Sequence, residues 1–403
     1  MKICFISNLY PPFIIGGAEV SVRRTAEGLV KKGHDVFVIT TTTNKKTSIE
    51  EVNGVKVYRI DTLNLYAMYN HQNQPELLKL IWHAIDLWNP HSYFVVKSIL
   101  KKEMPDIVHI NNFKGISLSV FSAVKHLNLP LIFTAHDYSM ICPRANLLNG
   151  SGEICTNPSK LCKIYVKIQK YMVDNKPDLV TAPSQFVIDK LKEGGLFDGV
   201  KTMKLPLGIE LSDKKTEKSY DIIDILYVGN LSKHKGIHIL INVFKRLEHE
   251  NIRLHILGKG NDEDEFKKIA KSDKRIIFHG FVPDEELVQL YQRANVTVVP
   301  SIWYDNSPMV IYESLRNGTP VIGSRIGGIP ELVEDEYNGF LFEAGNEYEL
   351  GSILINLIKN PSKLEKLSGG AFESVEKYSM DAHIDKIQGI SRRDNYVCIS
   401  KLE

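Results

Sequence analysis

The sequence predicts an α/β protein made of two Rossmann-like domains, whose parallel sheets face each other across a cleft. Three observations carry that prediction. Short apolar runs alternate with amphipathic stretches of helical period along most of the chain, the pattern of right-handed βαβ units. A polar stretch around residues 211–218 interrupts the alternation near mid-chain and reads as a linker. The length of 403 residues exceeds what one core organises, at roughly 100–200 residues per domain.

In the first half, strands are expected over residues 2–8, 35–40, 106–110, 131–135 and 178–182. A helix is expected over 18–32, and further helical patterns lie between the later strands. In the second half, strands are expected over 223–228, 253–257, 275–278, 296–299 and 320–323, with helices over 236–249, 284–291 and 309–317. Residues after 346 read as helical to near the end. The expected domains are therefore 1–205, a linker over 206–221, a second domain over 222–380 and a helical tail over 381–403 packing back on the first domain. Ligands of such sheets bind beyond the carboxyl ends of the strands, so the loops after the strands are where chemistry is sought.

Composition narrows the function classes. Lys and Arg number 50 against 48 Asp and Glu, a net charge of +2, unlike a dedicated nucleic-acid binder. Five cysteines do not make a disulfide-stapled scaffold. The N-terminal apolar run is too short for a signal peptide, and no long apolar run spans a membrane, so a cytoplasmic protein is expected. Charge is uneven, however. Residues 1–205 hold 25 Lys/Arg against 17 Asp/Glu, a net of +8, and residues 206–403 hold 25 against 31, a net of −6. The basic half suits an anionic membrane or acceptor, or simply solvated helix faces. Trp82 and Trp88 lie near Lys79, Lys97, Lys101 and Lys102 in a stretch of helical apolar spacing, which makes peripheral docking on anionic lipid an expectation.

The first strand leads into Gly16-Gly17-Ala18-Glu19, where two glycines at a helix start let the backbone approach a phosphate or sugar. The spacing is not that of a dinucleotide fold, and the second strand ends in Thr40 where an acidic ribose ligand would be wanted. A later strand delivers His136 to its carboxyl end. In the second domain, Asn230-Leu231-Ser232-Lys233-His234-Lys235-Gly236 offers a lysine at a helix start as a phosphate clamp. Asp305 precedes a helix that contains Glu313. Eight residues apart, the two carboxylates would be about 80° out of line on one helix, so they suit different hydroxyls of one extended ligand better than a paired acid and base.

Further segments complete the pattern: Gly33-His34-Asp35-Val36, Pro105-Asp106-Ile107-Val108-His109, Thr134-Ala135-His136-Asp137, Ala182-Pro183-Ser184, Leu205-Pro206-Leu207-Gly208-Ile209-Glu210 and Gly327-Gly328-Ile329-Pro330-Glu331. In this order, and with the carboxylate-x7-carboxylate helix among them, the chain resembles the family 4 retaining glycosyltransferases of the GT-B fold over nearly its whole length. The resemblance implies a UDP- or GDP-sugar donor held mainly by the second domain, and a hexosyl transfer to a glycan or lipid-linked acceptor in polysaccharide or glycolipid biosynthesis. It implies that Lys235 binds the diphosphate and Glu313 the ribose. Asp305, with Asn306, Ser307, Met309 and Val310, would hold the donor sugar. Gly16 and Gly17 would close over the donor, and His136 would touch the transferred sugar. His136, Asp305 and Glu313 are thus the expected catalytic set, and Tyr138 and Arg144 lie where an acceptor would dock.

Two positions depart from the family pattern. Asp305 stands where Glu is usual, and Asn230 where Arg is usual, which leaves more of the diphosphate charge to Lys235, with Lys233 or a main-chain donor as compensation. The alternatives are a non-catalytic sugar-nucleotide-binding relative, a GT-B epimerase or a phosphorylase. No cofactor is expected, since the nucleotide sugar is a co-substrate. Asp262-Glu263-Asp264 matches a metal-binding Asp-x-Asp but also suits an acidic helix start, and metal-free transfer is the expectation. Cys142, Cys155 and Cys162 are too widely spaced for a zinc ribbon and read more simply as reduced thiols, with structural zinc as the alternative.

Overall fold

The computed structural model describes residues 1–43, 46–212 and 216–391. The chain forms two compact units. One comprises Met1–Leu147, Thr156–Gly208 and the segment from Met380; the other comprises Leu148–Cys155 and Ile209–Ser379. The break at Gly208/Ile209 falls within the expected linker, of which residues 213–215 lie outside the described residues. So do residues 392–403 of the expected tail. Leu148–Cys155, expected in the first domain, groups with the second unit, and is closed by its own bridge between Leu148 and Ile154.

The first unit holds an eight-stranded sheet: β1 (Lys2–Ile6), β2 (Asp35–Thr41), β3 (Ser48–Val52), β4 (Val55–Ile60), β5 (Ile107–Ile110), β6 (Leu131–Thr134), β7 (Leu179–Ala182) and β8 (Thr202–Lys204). The order is β3-β4-β2-β1-β5-β6-β7-β8, parallel except for β3. Its inner strands are apolar runs buried on both faces, as a sheet covered by helices requires. The helices are α1 (Gly17–Lys31), α2 (Glu76–Leu87), α3 (Pro90–Glu103), α4 (Ser119–Lys125), α5 (Lys160–Val173) and α6 (Gln185–Glu193). The antiparallel β3–β4 hairpin was not expected. It turns on Asn53 and Gly54, both at positive φ, the pairing that two-residue hairpin turns favour.

The second unit holds a parallel sheet of β9 (Ile223–Val228), β10 (Ile252–Leu257), β11 (Ile276–Gly280), β12 (Val296–Val299), β13 (Val321–Ser324) and β14 (Gly339–Phe342), in the order β11-β10-β9-β12-β13-β14. Its helices are α7 (Ile237–Lys245), α8 (Glu263–Ala270), α9 (Asp284–Arg293), α10 (Met309–Arg316), α11 (Glu347–Lys359) and α12 (Pro361–Ser374). Helix α7 is shorter than expected, because the Arg246 N–H turns back to the Val243 carbonyl before the chain enters β10. The last helix, α13 (Met380–Ser391), belongs to the first unit, where Ile384 and Ile387 join Val22, Ala26 and Leu29 of α1 in one buried cluster.

Among its parallel strands each sheet therefore reverses its order once, between β1 and β5 in the first and between β9 and β12 in the second. Such a switch point splays the loops of the two strands and opens a crevice at their carboxyl ends. The docking expectation needs one correction. Trp82 is fully buried in the first unit, where its indole N–H donates to the Tyr66 carbonyl at 2.9 Å, so it cannot reach a lipid surface; Trp88 is exposed and stacks on Tyr93. Among the described residues no helix is long and apolar enough to cross a membrane.

Candidate active site

In the second unit, the loops after β9 and β12 meet at the switch point. Gly236, at φ +72°, lies so close to the second loop that a Cβ there would sit 1.8 Å from the Pro300 carbonyl oxygen. That approach sets the 3-10 turn Lys233–Lys235 against the loop after β12. The Lys235 ammonium donates to Asp305 Oδ2 at 2.8 Å and lies 4.9 Å from the Trp303 ring centroid. Ser301 Oγ donates to the same carboxylate oxygen at 2.8 Å, and Asp305 is buried. A buried carboxylate is stable only with such partners. The Asp305 main chain is held from the other side: its carbonyl accepts the Gly328 N–H at 2.7 Å. Gly327, at φ +62°, passes so near that a Cβ would lie 2.2 Å from the same oxygen.

Asn306, Ser307, Met309, Val310 and Glu313 follow, all half-buried, over the start and second turn of α10. Ser307 Oγ is 2.8 Å from the Tyr312 hydroxyl. Glu313 accepts from the hydroxyl of Tyr291 at 3.4 Å. Burial, and then the Glu313 charge, push that phenol well above its ordinary range. Of the remaining expected donor ligands, Asn230 is exposed, and its main-chain carbonyl accepts from the Tyr227 hydroxyl at 2.9 Å. Lys233 is paired with Glu265 at 2.9 Å. Asp262 takes the Lys233 N–H at 2.8 Å and Glu263 pairs with Lys267, so this acidic stretch anchors the turn.

In the first unit, Gly16 and Gly17 are exposed at the start of α1. The Gly16 N–H donates to Glu19 Oε2 at 2.8 Å, a carboxylate reaching back over its own helix start. Burial raises the Glu19 pKa, against the pull of that backbone donor. Asn111, just beyond β5, donates through its amide to the His109 carbonyl at 3.3 Å, which turns Oδ1 toward His136 Nε2 at 2.9 Å. The His136 proton therefore sits on Nε2. Burial, and secondarily His383, push its pKa down to about 4, so the imidazole is neutral at pH 7. His383, on α13, escaped the sequence reading. Its Nδ1–H donates to the Pro206 carbonyl at 2.8 Å, which leaves Nε2 to accept from Thr25 Oγ1 at 3.2 Å. Thr25, His109, Asn111, Thr134, His136 and His383 line a cavity of about 20 Å³.

The two expected acceptor residues separate. Arg144 is exposed, whereas Tyr138 is 1 % exposed; it packs inside and cannot meet an acceptor directly. Among the described residues no group of three His, Cys, Asp or Glu side chains could hold a metal, and Cys142, Cys155 and Cys162 are free thiols.

Residues 15–213 match the model of Glycosyltransferase Family 4, and residues 209–373 match that of Glycosyl transferases group 1. An uncharacterized glycosyltransferase of Methanocaldococcus jannaschii is 26% identical over 403 aligned residues, covering 94% of this chain and 95% of the relative. Among solved structures, sucrose-phosphate synthase from Thermosynechococcus elongatus shares the fold with a TM-score of 0.76 at 20% identity, over 97% of this chain and 98% of that one. Anabaena HepE in complex with UDP-glucose superposes with a TM-score of 0.71 at 19% identity, over 97% and 99%. The two family models adjoin and together span residues 15–373, so the chain belongs to family 4 and is a glycosyltransferase of the GT-B fold.

Proposed function

We propose that the enzyme transfers a hexosyl unit, with retention of anomeric configuration, from a UDP- or GDP-sugar to a glycan or lipid-linked acceptor in polysaccharide or glycolipid assembly. One observation carries this reading: a lysine and a buried carboxylate are paired at the switch point of the second sheet, with Glu313 on the adjoining helix. A nucleotide sugar presents complementary groups. Its diphosphate takes the Lys235 ammonium, its sugar hydroxyls replace that ammonium as donors to Asp305, and its ribose hydroxyls donate to Glu313. Exchange of partners keeps the buried carboxylate satisfied with and without donor. The N-terminus of α10 and Lys235 together stabilise charge on the departing diphosphate, so no metal is required. HepE, whose structure holds UDP-glucose, supports this donor class.

His136 acts in this reading as a neutral hydrogen-bonding partner of the transferred sugar, and Gly16 and Gly17 as exposed backbone beside a helix start. In the reaction the bond from the anomeric carbon to the diphosphate oxygen breaks and one to the acceptor oxygen forms. The acceptor proton leaves with the diphosphate. A cytoplasmic location completes the proposal. The test is a thermal-shift screen against UDP- and GDP-sugars, followed by release of nucleoside diphosphate on adding glycan acceptors. A melting shift with one donor and acceptor-dependent release are expected; a shift without release under any acceptor would favour a sugar-nucleotide-binding role. Anomeric coupling in the product, read by NMR, decides retention.

A further inference from the structure

Two neighbouring helices of the first unit turn apolar side chains outward. On α5, Leu161, Ile164, Ile168 and Tyr171 recur on one face and are exposed, Tyr171 by 93 % and Leu161 by 71 %. Lys160, Lys163 and Lys167, also exposed, run along one flank of that stripe, and α5 contains no acidic residue. On α2, Leu77, Leu80, Ile81 and Ala84 make a second exposed stripe, which ends at Trp88. The helices touch through His83 and Tyr165, whose rings are 5.8 Å apart. At 100° per residue, Tyr165 lies on the flank of α5 opposite the lysines, and His83 on the flank of α2 next to Leu80. The two apolar stripes therefore adjoin, with the lysines along one border. Gln169, on the inner side of α5, donates to the Ser139 and Met140 carbonyls, which fixes the helix with its apolar side out.

A contiguous exposed apolar surface of this kind needs a cover. We propose that the outer faces of α2 and α5 dock on an anionic lipid membrane. The charge pattern selects this occupant: an apolar face inserts at the headgroup boundary while bordering lysines meet anionic lipid, and the exposed Trp88 and Tyr171 supply rings of the kind that favour the headgroup region. The surface differs from the one expected from sequence, which centred on Trp82. It stands on exposure and charge alone and does not depend on the donor reading.

The experiment is co-sedimentation of the full chain with vesicles of phosphatidylcholine, or of equimolar phosphatidylcholine and phosphatidylglycerol, over a salt series. Binding to the anionic vesicles that weakens with salt is expected. Changing Lys160, Lys163 and Lys167 to Gln should cost about fivefold per lysine. The double variant Ile164→Asp, Ile168→Asp should abolish binding. All substituted side chains are exposed, and the donor-induced melting shift, which reads the second unit, is measured on the same variants. Loss of docking with that shift intact supports the surface; a missing shift in wild type fails the donor reading only. No binding at low salt, or binding unchanged in both variants, overturns the proposal. So does light scattering that finds a dimer which Ile164→Asp dissociates, since a second copy of the chain then covers the face.

Discussion

The two units treat charge at their switch points differently. At the second, opposite charges are matched within one site: Lys235 against Asp305, with Glu313 on the next helix beside the Tyr291 hydroxyl. At the first, three buried imidazoles are kept neutral. Burial holds His136 at about 4 and His383 at about 4, and it holds His109, which bonds the Thr134 hydroxyl, at about 3. A matched pair can exchange partners with a charged ligand without leaving a buried charge alone. A neutral imidazole makes directional hydrogen bonds across the physiological pH range without adding a cation.

Breaking the matched pair should have the largest effect. Lys235→Ala removes a charged hydrogen bond worth roughly 1.5–3 kcal/mol, and it strands Asp305. Donor affinity, measured by titration calorimetry, should fall at least roughly tenfold to a hundredfold, and Glu313→Ala should fall in the same range. Near wild-type affinity in both folded variants would remove the donor site from this switch point. At the first unit, His136→Ala should lower kcat roughly tenfold to a hundredfold, within the range of a positioned polar partner, and leave donor affinity within about twofold. A loss confined to donor affinity would contradict the division.

Acid should sharpen the contrast further. The folded pKa of His136, His109, His383 and of His83, held at about 3, lies below the ordinary 6.5. Between the two values the unfolded chain binds protons that the folded chain refuses. Their contribution to stability is therefore complete above about pH 6.5 and is lost as pH falls toward 4 and 3. Asp86, buried and pushed up to about 7, and Glu19, also raised by burial, work in reverse over the same acid range, but four histidines outweigh them. The first unit should melt several degrees lower at pH 5 than at pH 7, read by calorimetry on the full chain. An unchanged or higher first-unit transition at pH 5 would mean these imidazoles are solvated. The smallest effect is expected of metal removal. Turnover in EDTA should equal that in magnesium or manganese, and a metal-restored loss would show that Lys235 and α10 do not carry the leaving group alone.

Much of this was legible in sequence wherever the signal was local. The inner strands are apolar runs, and their helices show the 3.6-residue period, so fold class and strand ends followed directly. Lys235 and Asp305 lie on the loops after β9 and β12 and Glu313 lies in α10, where the alternation of strands and helices puts them. Pairing was not legible. Lys235 meets Asp305 across 70 residues and Thr25 meets His383 across 358, and no local pattern encodes either contact. The Asn53-Gly54 turn was a readable hairpin signal that the helix–strand alternation masked. At α2, helical spacing announced a helix but not its orientation. Trp82 looked like a surface anchor, whereas Leu77, Leu80 and Ile81 hold the outer face.

The glycines at the second switch point bear on how this enzyme could be diversified. Gly236 and Gly327 have no room for a methyl group, and a Cβ at Gly258 would lie 1.9 Å from the Gly229 carbonyl oxygen. In a saturation library these positions would score as intolerant as any contact residue, although their demand is main-chain clearance. Their invariance would carry no information about which sugar is used. On the proposed donor reading, a screen for altered donors is better spent on Asn306, Ser307, Met309 and Val310, which are half-buried. The glycines then act as a fixed chassis, and the recombinable alphabet lies in the four positions around them.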